Sequence, residues 1–535
     1  MSNLLVDTCL RASLREGGQL CSLPKLFALL VAEQVEGYPA LRAHQEPAWH
    51  MFLVQLGAIA MHRAGLIELP MDEIAWRDII RALTKDAFPD DEPWRLVVED
   101  TSKPAFLQPP VPTEVELKDP VYTPDALDML ITTRNHDLKQ SVATAAMVDD
   151  WIFALVSLQT SEGYGGRNNY GIVRMNGGSS SRVMMGLAPM IGEAGRDTLR
   201  PGARLRRDIE QLLTRRSDML ERFAIGYPET GGIALTWTEA WPNDRQLALG
   251  DLDIWFIEVC RRVRLRRIDT KYYALTGISA SERINGKHLN GVVGDPWAPI
   301  NSVESKSLTI GDEGEFNHRR LSEMLFSGDW ELPLLATLDR FEAVTVANWS
   351  LVIKAIARGN SKTGGFKERI VPIAGRVALG MKAKRKELYE LAKAQIAEIA
   401  AVDNILRNAL ALAAAGGDRE DVGEAAYAST RPLRARLDTV ADRLFFPALW
   451  ARFEAEQAGD RAALTAAEDT FVLQLIDAAR QLFGEGLADM PCRAILRPRA
   501  EARARRRFDG ALRNPKSPFS RLFATQPSQE DDVHA

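Results

Sequence analysis

The chain has 535 residues, 46% of them hydrophobic and 26% charged, which is apolar material for two or three packed domains rather than one. A formal net charge of −5 excludes nucleic-acid binding through a global positive field, so any such contact must come from local basic patches. The four scattered cysteines, Cys9, Cys21, Cys260 and Cys492, form no CxxC pair; neither a disulfide framework nor a zinc finger is expected, and a reducing cytoplasm is.

The opening residues carry no basic region followed by a cleavable apolar stretch, so no signal peptide is expected. Ala48 to Ala64 has apolar residues at helical spacing, and its most apolar part, Met51 to Met61, is too short to span a bilayer and contains Gln55. No membrane partner is expected. Val142 to Gln159 predicts a second helix. After it come six glycines, Gly163, Gly165, Gly166, Gly171, Gly177 and Gly178, interspersed with Arg167, Arg174 and Arg182. Glycine lets another backbone approach closely, and the arginines offer phosphate partners. Such a long segment is either a binding loop or merely a flexible one. It matches neither GxGxxG after a strand nor a Walker A motif.

Ile233 to Trp237, Asp253 to Leu265 and Lys271 to Leu275 read as strands. Alternation in the second would put Arg262, Arg264 and Arg266 on one face, opposite Val263 and Leu265. Asn285-Gly286 marks a turn that leaves Lys287 at or near a loop tip, in a stretch that also holds Lys271, Arg283 and His288. An ordinary solvated lysine is the plain reading there. Phe341 to Ala357 reads as a helix, and Arg358 to Arg369 as a tight basic turn. Lys362-Thr363 resembles the end of a Walker A motif, but Ser361 stands where glycine is required and the preceding element reads as a helix. With Gly364 and Gly365 at its tip, the turn could enter a groove or wedge a duplex, or could be a plain solvated turn.

Beyond residue 375 the chain is rich in Ala, Leu, Arg and Glu. Helical stretches at 376–414, 431–457, 460–484 and 496–513 are punctuated by Gly416-Gly417, Thr430-Arg431-Pro432, Gly459 and Gly484-Glu485-Gly486. Short connections favour antiparallel neighbours. The fold class is therefore α+β: a mixed N-terminal domain over 1–374, a C-terminal four-helix bundle over 375–515, and a polar, acidic tail over 516–535 expected to be disordered. Lys382, Lys384, Arg385 and Lys386 cluster in the first bundle helix, and Arg499, Arg503, Arg505, Arg506 and Arg507 in the last. Each run alone is more often a solvated face; together they make a phosphate track plausible. The seven histidines form no HExxH, and Gly177-Gly-Ser-Ser-Ser fails the GxSxG pattern at its last position. No catalytic residue, cofactor or metal is assigned.

Asn3-Leu-Leu-Val-Asp7, Lys103-Pro-Ala-Phe-Leu-Gln-Pro109, Gly163-Tyr-Gly-Gly166, Arg174-Met-Asn-Gly-Gly178 and the turn Gly359 to Arg369 together resemble the CasA-type large subunit of the type I-E CRISPR-associated Cascade complex. The resemblance runs across nearly the whole chain and implies a non-enzymatic subunit of an RNA-guided assembly. Gly163, Gly165, Gly166, Arg167 and Arg174 would then meet the guide RNA or neighbouring subunits. Asn176, Gly177, Gly178, a lysine finger best matched by Lys287, and the turn Lys362, Thr363, Gly364 and Gly365 would approach the protospacer-adjacent motif (PAM) of double-stranded target DNA. The turn would open the first base pairs, after which guide–target pairing reads the sequence. Lys382, Lys384, Arg503, Arg505, Arg506 and Arg507 would follow the displaced strand. The implied partners are the backbone, handle-binding and small subunits, and a helicase-nuclease recruited after the R-loop forms. Cys9 and Leu10 depart from the family's Trp-Ile, and with only Cys260 in the middle of the first domain no zinc is expected. Two rivals stand beside this reading: a purely structural subunit whose partner reads the PAM, and a nucleotide-dependent enzyme using Lys362-Thr363.

Overall fold

The computed structural model describes residues 2–128, 146–193, 196–311, 314–359 and 362–523. Contacts divide the chain into two compact units, one of residues 1–316 and 329–379, the other of 317–328 and 380–535.

The first unit is built around helix α1 (Glu46–Ala64), which starts on Pro47 and stops at Gly65 with φ 66°. Residues 47–61 are all buried. Two polar residues lie in that run: His50 pairs with Asp208 at 2.8 Å, and the Gln55 amide is fully used, Nε2 donating to the carbonyls of Trp255 and Phe256 at 3.0 and 2.8 Å and Oε1 accepting from Arg182. Helix α2 (Val148–Ser161) is buried from Trp151 onward; positions 142–145 of the expected helix lie outside the described residues. Strand β1 (Met184–Glu193) pairs with β2 (Arg196–Leu199), and helix α3 (Pro201–Thr214) follows. A Cβ on Gly57 of α1 would lie 2.6 Å from Ile209 Cδ1 of α3, so glycine lets these two helices pack closely.

The stretch expected as one strand over Asp253–Leu265 is two, β3 (Leu252–Ile257) and β4 (Arg262–Ile268), and β5 (Lys271–Gly277) pairs with β4. The expected helix over Phe341–Ala357 is wrong. Only Arg340–Thr345 is helical; Asn348–Gly359 is strand β6, antiparallel to β7 (Lys362–Ala374). The reason is burial on both faces. Trp349, Leu351, Val352, Ile353, Ala355, Ile356 and Ala357 are all buried, so the run has no polar alternation to betray a strand. The sheet order is β7-β6-β1-β2.

The second unit contains helix α4 (His318–Phe326), then α5 (Arg385–Ala414), α6 (Arg431–Ala458), α7 (Arg461–Asp489) and α8 (Arg497–Arg513). Pro432 opens α6 and Gly459, φ 69°, closes it. Gly484 and Gly486 do not end α7 as expected. The helix runs on to Asp489, and a Cβ on Gly486 would sit 2.4 Å from Leu433 Cδ1, so this glycine serves helix contact rather than termination. Gly375–Ala383 forms a separate short helix, so the expected 376–414 stretch is broken at Lys384. Within the tail expected to be disordered over 516–535, Ser520–Phe523 makes a 3-10 turn and Phe519 is buried, while 524–535 lie outside the described residues. Among the described residues, no helix is long and apolar enough to cross a membrane.

Candidate nucleic-acid interface

The glycine-rich segment is pinned, not slack. Gly163 N–H donates to the Ser180 carbonyl at 3.1 Å, Tyr164 N–H to Gly178 at 2.9 Å, Ile172 N–H to Glu162 at 3.0 Å and Arg182 N–H to Ser161 at 2.8 Å. The chain thus crosses itself within twenty residues. A Cβ on Gly163 would lie 2.3 Å from the Gly178 carbonyl oxygen, and one on Gly171 would lie 2.6 Å from the Gly163 carbonyl carbon. These glycines are required by the segment's own crossing. Gly177 differs: it is exposed, sits at φ 81°, and has open space where a Cβ would point.

The segment's arginines are divided. Arg167 is exposed, as a phosphate contact requires. Arg174 is 1% exposed; its guanidinium donates to the Ile254 and Phe256 carbonyls at 3.1 and 3.2 Å and lies 4.1 Å over the Phe256 ring. Burial, then the nearby Arg182, lowers its pKa. The assignment of Arg174 to RNA contact is therefore corrected: it is a strut between the loop and β3. Arg182 is corrected likewise. It makes a two-toothed pair with Asp295 at 2.6 and 2.8 Å and stacks 5.1 Å over Trp297. Gly163 is itself buried, while Gly165 is exposed and Gly166 half-buried.

The arginine strand also turns inward. Arg262 donates to Trp241 O at 2.6 Å, Arg264 to Val98 O at 2.9 Å, and the neighbouring Arg283 to Ala240 O at 2.9 Å. Burial lowers Arg264 to about 10 and Arg283 to about 9, which leaves both charged at neutral pH. Of this strand's arginines only Arg266 and Arg267 reach solvent. Alternation does not decide exposure along β4: both faces are covered at its start.

Two carboxylates that the sequence did not single out hold the loop. Glu162 takes Arg358 Nη1 at 2.8 Å and pairs with Arg261 at 3.4 Å, joining the loop to β6. Glu258 receives the Val173 N–H at 2.8 and 3.0 Å, and burial pushes its pKa up to about 7. Ser181 adds a second tie to β6, with its N–H donating to Ile356 O and its Oγ accepting from Ile356 N–H. Arg358 lies in the segment read as a turn; nothing in the spacing marks Glu162 as its partner or Glu258 as that of Val173.

Of the expected PAM contacts, Gly177, Gly178 and Lys287 come together around one small cavity of about 60 Å³, which Gly163, expected to meet guide RNA or a neighbouring subunit, also lines. Lys287 opens a single 3-10 turn, is 72% exposed, pairs with Glu282 at 3.2 Å and lies 5.9 Å from the Tyr170 ring centre. Asn176 faces inward: Nδ2 donates to Ser307 O at 2.7 Å and Oδ1 accepts from Gly178 N–H at 3.0 Å. It fixes Gly178 rather than presenting an amide to a ligand. In the β6–β7 hairpin, Thr363 pairs with Arg358 and Gly365 with Ala357, so Gly364 is an inserted, exposed residue beside Gly365 at φ 92°. Asn360 and Ser361 lie outside the described residues. Lys362 and Thr363 begin a strand after another strand, not a helix after a loop, which removes the Walker A context.

In the second unit, Lys382 and Lys384 are exposed, as are Arg505, Arg506 and Arg507. Arg503 is partly spent: it donates to the Gly417 carbonyl at 2.9 Å, while Arg499 donates to Gly416 at 3.2 Å, so both hold the turn that follows α5. Among the described residues, no three His, Cys, Asp or Glu side chains gather as a metal site would need.

No protein-family model and no curated protein matches the sequence. Solved structures do. The crystal structure of the CRISPR-associated protein Cse1 from Acidimicrobium ferrooxidans is similar with a TM-score of 0.61 at 17% identity, over 97% of this chain and 99% of that one. Thermus thermophilus CasA (Cse1) gives 0.58 at 14% identity, over 96% and 99%, and Thermobifida fusca Cse1 gives 0.51 at 13%, over 92% and 98%. The chain has the α+β fold of the Cse1 (CasA) proteins.

Proposed function

We propose that this chain is the large subunit of a type I-E Cascade, a CRISPR RNA-guided surveillance complex, and that its mixed unit recognises the PAM in double-stranded target DNA. The observation that carries the reading is the convergence of exposed Gly177 and exposed Lys287 on one rim of a fold shared along nearly the whole chain with Cse1 proteins. A bare glycine backbone and a single long cation can enter a minor groove, whose donor and acceptor pattern is poor in information, and so tolerate several flanking sequences. Glu162 and Ser181 link that rim to the β6–β7 hairpin, whose residues Lys362 to Gly365 at the start of β7 would part the first base pairs. Exposed Arg167 remains for the guide RNA or a neighbouring subunit. The chain acts by binding and carries out no reaction of its own; the helicase-nuclease it recruits does the cutting. Its setting is the cytoplasm.

A specific observation favours one rival. Asn176 is occupied internally and Lys287 is held by Glu282, as a purely structural subunit would have it. The exposed ion pair is worth at most about 1 kcal/mol, so phosphate can displace it. Replacing Lys362–Gly365 with Ser-Ser-Ala-Ala, and separately Lys287→Ala, should slow R-loop formation on PAM-bearing DNA in the assembled complex. Unchanged rates in both would leave the structural rival standing.

A further inference from the structure

In the first unit β4, β5 and the strand Asp119–Val121 form a three-stranded sheet in that order. Arg266 of β4 lies opposite Tyr273 of β5, and Ile268 opposite Lys271. Ala274 lies opposite Val121, so the next antiparallel step sets Tyr273 beside Tyr122. Cross-strand partners share a face, and Arg266, Ile268, Lys271, Tyr273 and Tyr122 therefore stand on one side of the sheet. Val121 and Tyr272 alternate to the other side and pack against the core. Farther along, the first side is closed: Arg264 reaches the Val98 and Asp100 carbonyls, and a Cβ on Gly277 would lie 2.7 Å from Leu117.

The part left open combines stacked rings with cations. The Tyr122 and Tyr273 rings lie 6.1 Å apart between centres, with 29° between their planes. Tyr122 is 70% exposed and Ile268 61%, so two large apolar surfaces on one face are given to solvent. Lys271 is exposed and makes no ion pair among the described residues, and Arg266 spends one N–H on the Glu99 carbonyl at 3.0 Å. Three carboxylates stand near: Asp269 in the turn, and Glu99 and Asp100 on the flank, the last taken up by Ser102. Arg266 and Lys271 thus retain donors for an anion, while the rings supply most of the contact surface.

We propose that this sheet face binds an unpaired stretch of DNA. Bases inside a duplex have their π faces covered by their neighbours, so only an unpaired base can lie on a tyrosine ring. Arg266 and Lys271, beside the rings, take phosphates of the same strand. Ile268 adds an apolar contact for the thymine methyl, which uracil lacks, and this favours DNA over RNA. The site uses none of the residues assigned to the PAM or to the α8 track, and it goes beyond both: its ligand is a single strand, held by stacking.

Fluorescence anisotropy of the full chain with a short oligothymidylate tests this, in an R506Q/R507Q background so that α8 contributes little. Y122A/Y273A should weaken binding about ten-fold, while Y122F/Y273F, which keeps both rings, should stay within about two-fold of the parent. Tyr122 is exposed, so Y122A alone should leave thermal unfolding unchanged and still weaken binding several-fold. R266Q/K271Q should lower the salt slope by about 1.4, the value for two phosphates of a single strand. Oligothymidylate should bind about three-fold more tightly than oligodeoxyuridylate, the worth of one methyl, and I268A should erase that difference. Undiminished binding by Y122A/Y273A overturns the proposal, and if that variant also fails to join the assembled complex the face is a protein contact. Oligouridylate RNA binding more tightly than either DNA, with the same dependence on the tyrosines, overturns DNA as the occupant.

Discussion

The glycine-rich loop with β4, and the last helix α8, are both rich in arginine, yet their guanidiniums do opposite things. Around the loop the chain crosses itself and turns repeatedly, leaving carbonyls such as Ile254, Phe256, Trp241 and Val98 without regular partners; buried Arg174, Arg262 and Arg264 supply the donors. Helix α8 satisfies its own backbone. The turn after α5 and the end of α7 ask for donors there; Arg499 and Arg503 meet the first and Arg497 the second. The remaining arginines of α8 face solvent. An arginine's destination thus follows from the number of orphan carbonyls near it, not from local charge density.

The sharpest way to break this contrast is to remove an inward arginine. Arg182→Met strands Asp295 in the interior and should cost about 3–5 kcal/mol in urea unfolding, the usual penalty for breaking a buried pair. A cost under ~1 kcal/mol would mean the pair is effectively solvated. Next come the glycines. Gly163→Ala pushes a Cβ against the Gly178 carbonyl and should cost about 1–3 kcal/mol, whereas Gly177→Ala meets only the left-handed backbone penalty of about 1 kcal/mol. Equal costs would refute the distinction between a crossing glycine and a turn glycine.

A pH series sharpens the loop's side of the comparison. Burial raises Glu258 from 4.5 to about 7, so the folded state holds its proton more tightly than the unfolded chain does. That contribution is whole below pH 4.5 and is lost as pH rises through 7. Glu258→Gln should therefore gain stability relative to the parent between pH 5 and 8; a pH-independent difference would contradict the burial argument. The smallest effect belongs to α8. R506Q/R507Q should change stability by less than ~0.5 kcal/mol while lowering the salt slope of nucleic-acid binding by about 2.

Much of this was legible in the sequence, and unevenly so. Pro432, Gly459 and the Gly416-Gly417 pair mark bundle helices because their effects are local to the backbone. The α+β class followed from the shift in composition near residue 375. Strand β6 was missed because a strand buried on both faces loses its period of two, and Gly484-Glu485-Gly486 misled because a glycine can serve close packing as well as a break. Around the candidate interface, the Asn285-Gly286 turn put Lys287 near a loop tip, but its role and that of Gly177 came from the resemblance, and spacing could not assign Arg174, whose partners lie 80 residues away. Glu162, Glu258 and Asp295 were invisible for the same reason: each works through contacts that only the folded chain creates.

The most direct test of the functional account is target binding by the assembled RNA-guided complex prepared with and without this chain, on DNA differing only in the bases flanking the protospacer. With the chain present, binding should depend steeply on those bases, and without it that preference should disappear. A preference that persists in its absence would contradict the account and assign PAM reading to a partner.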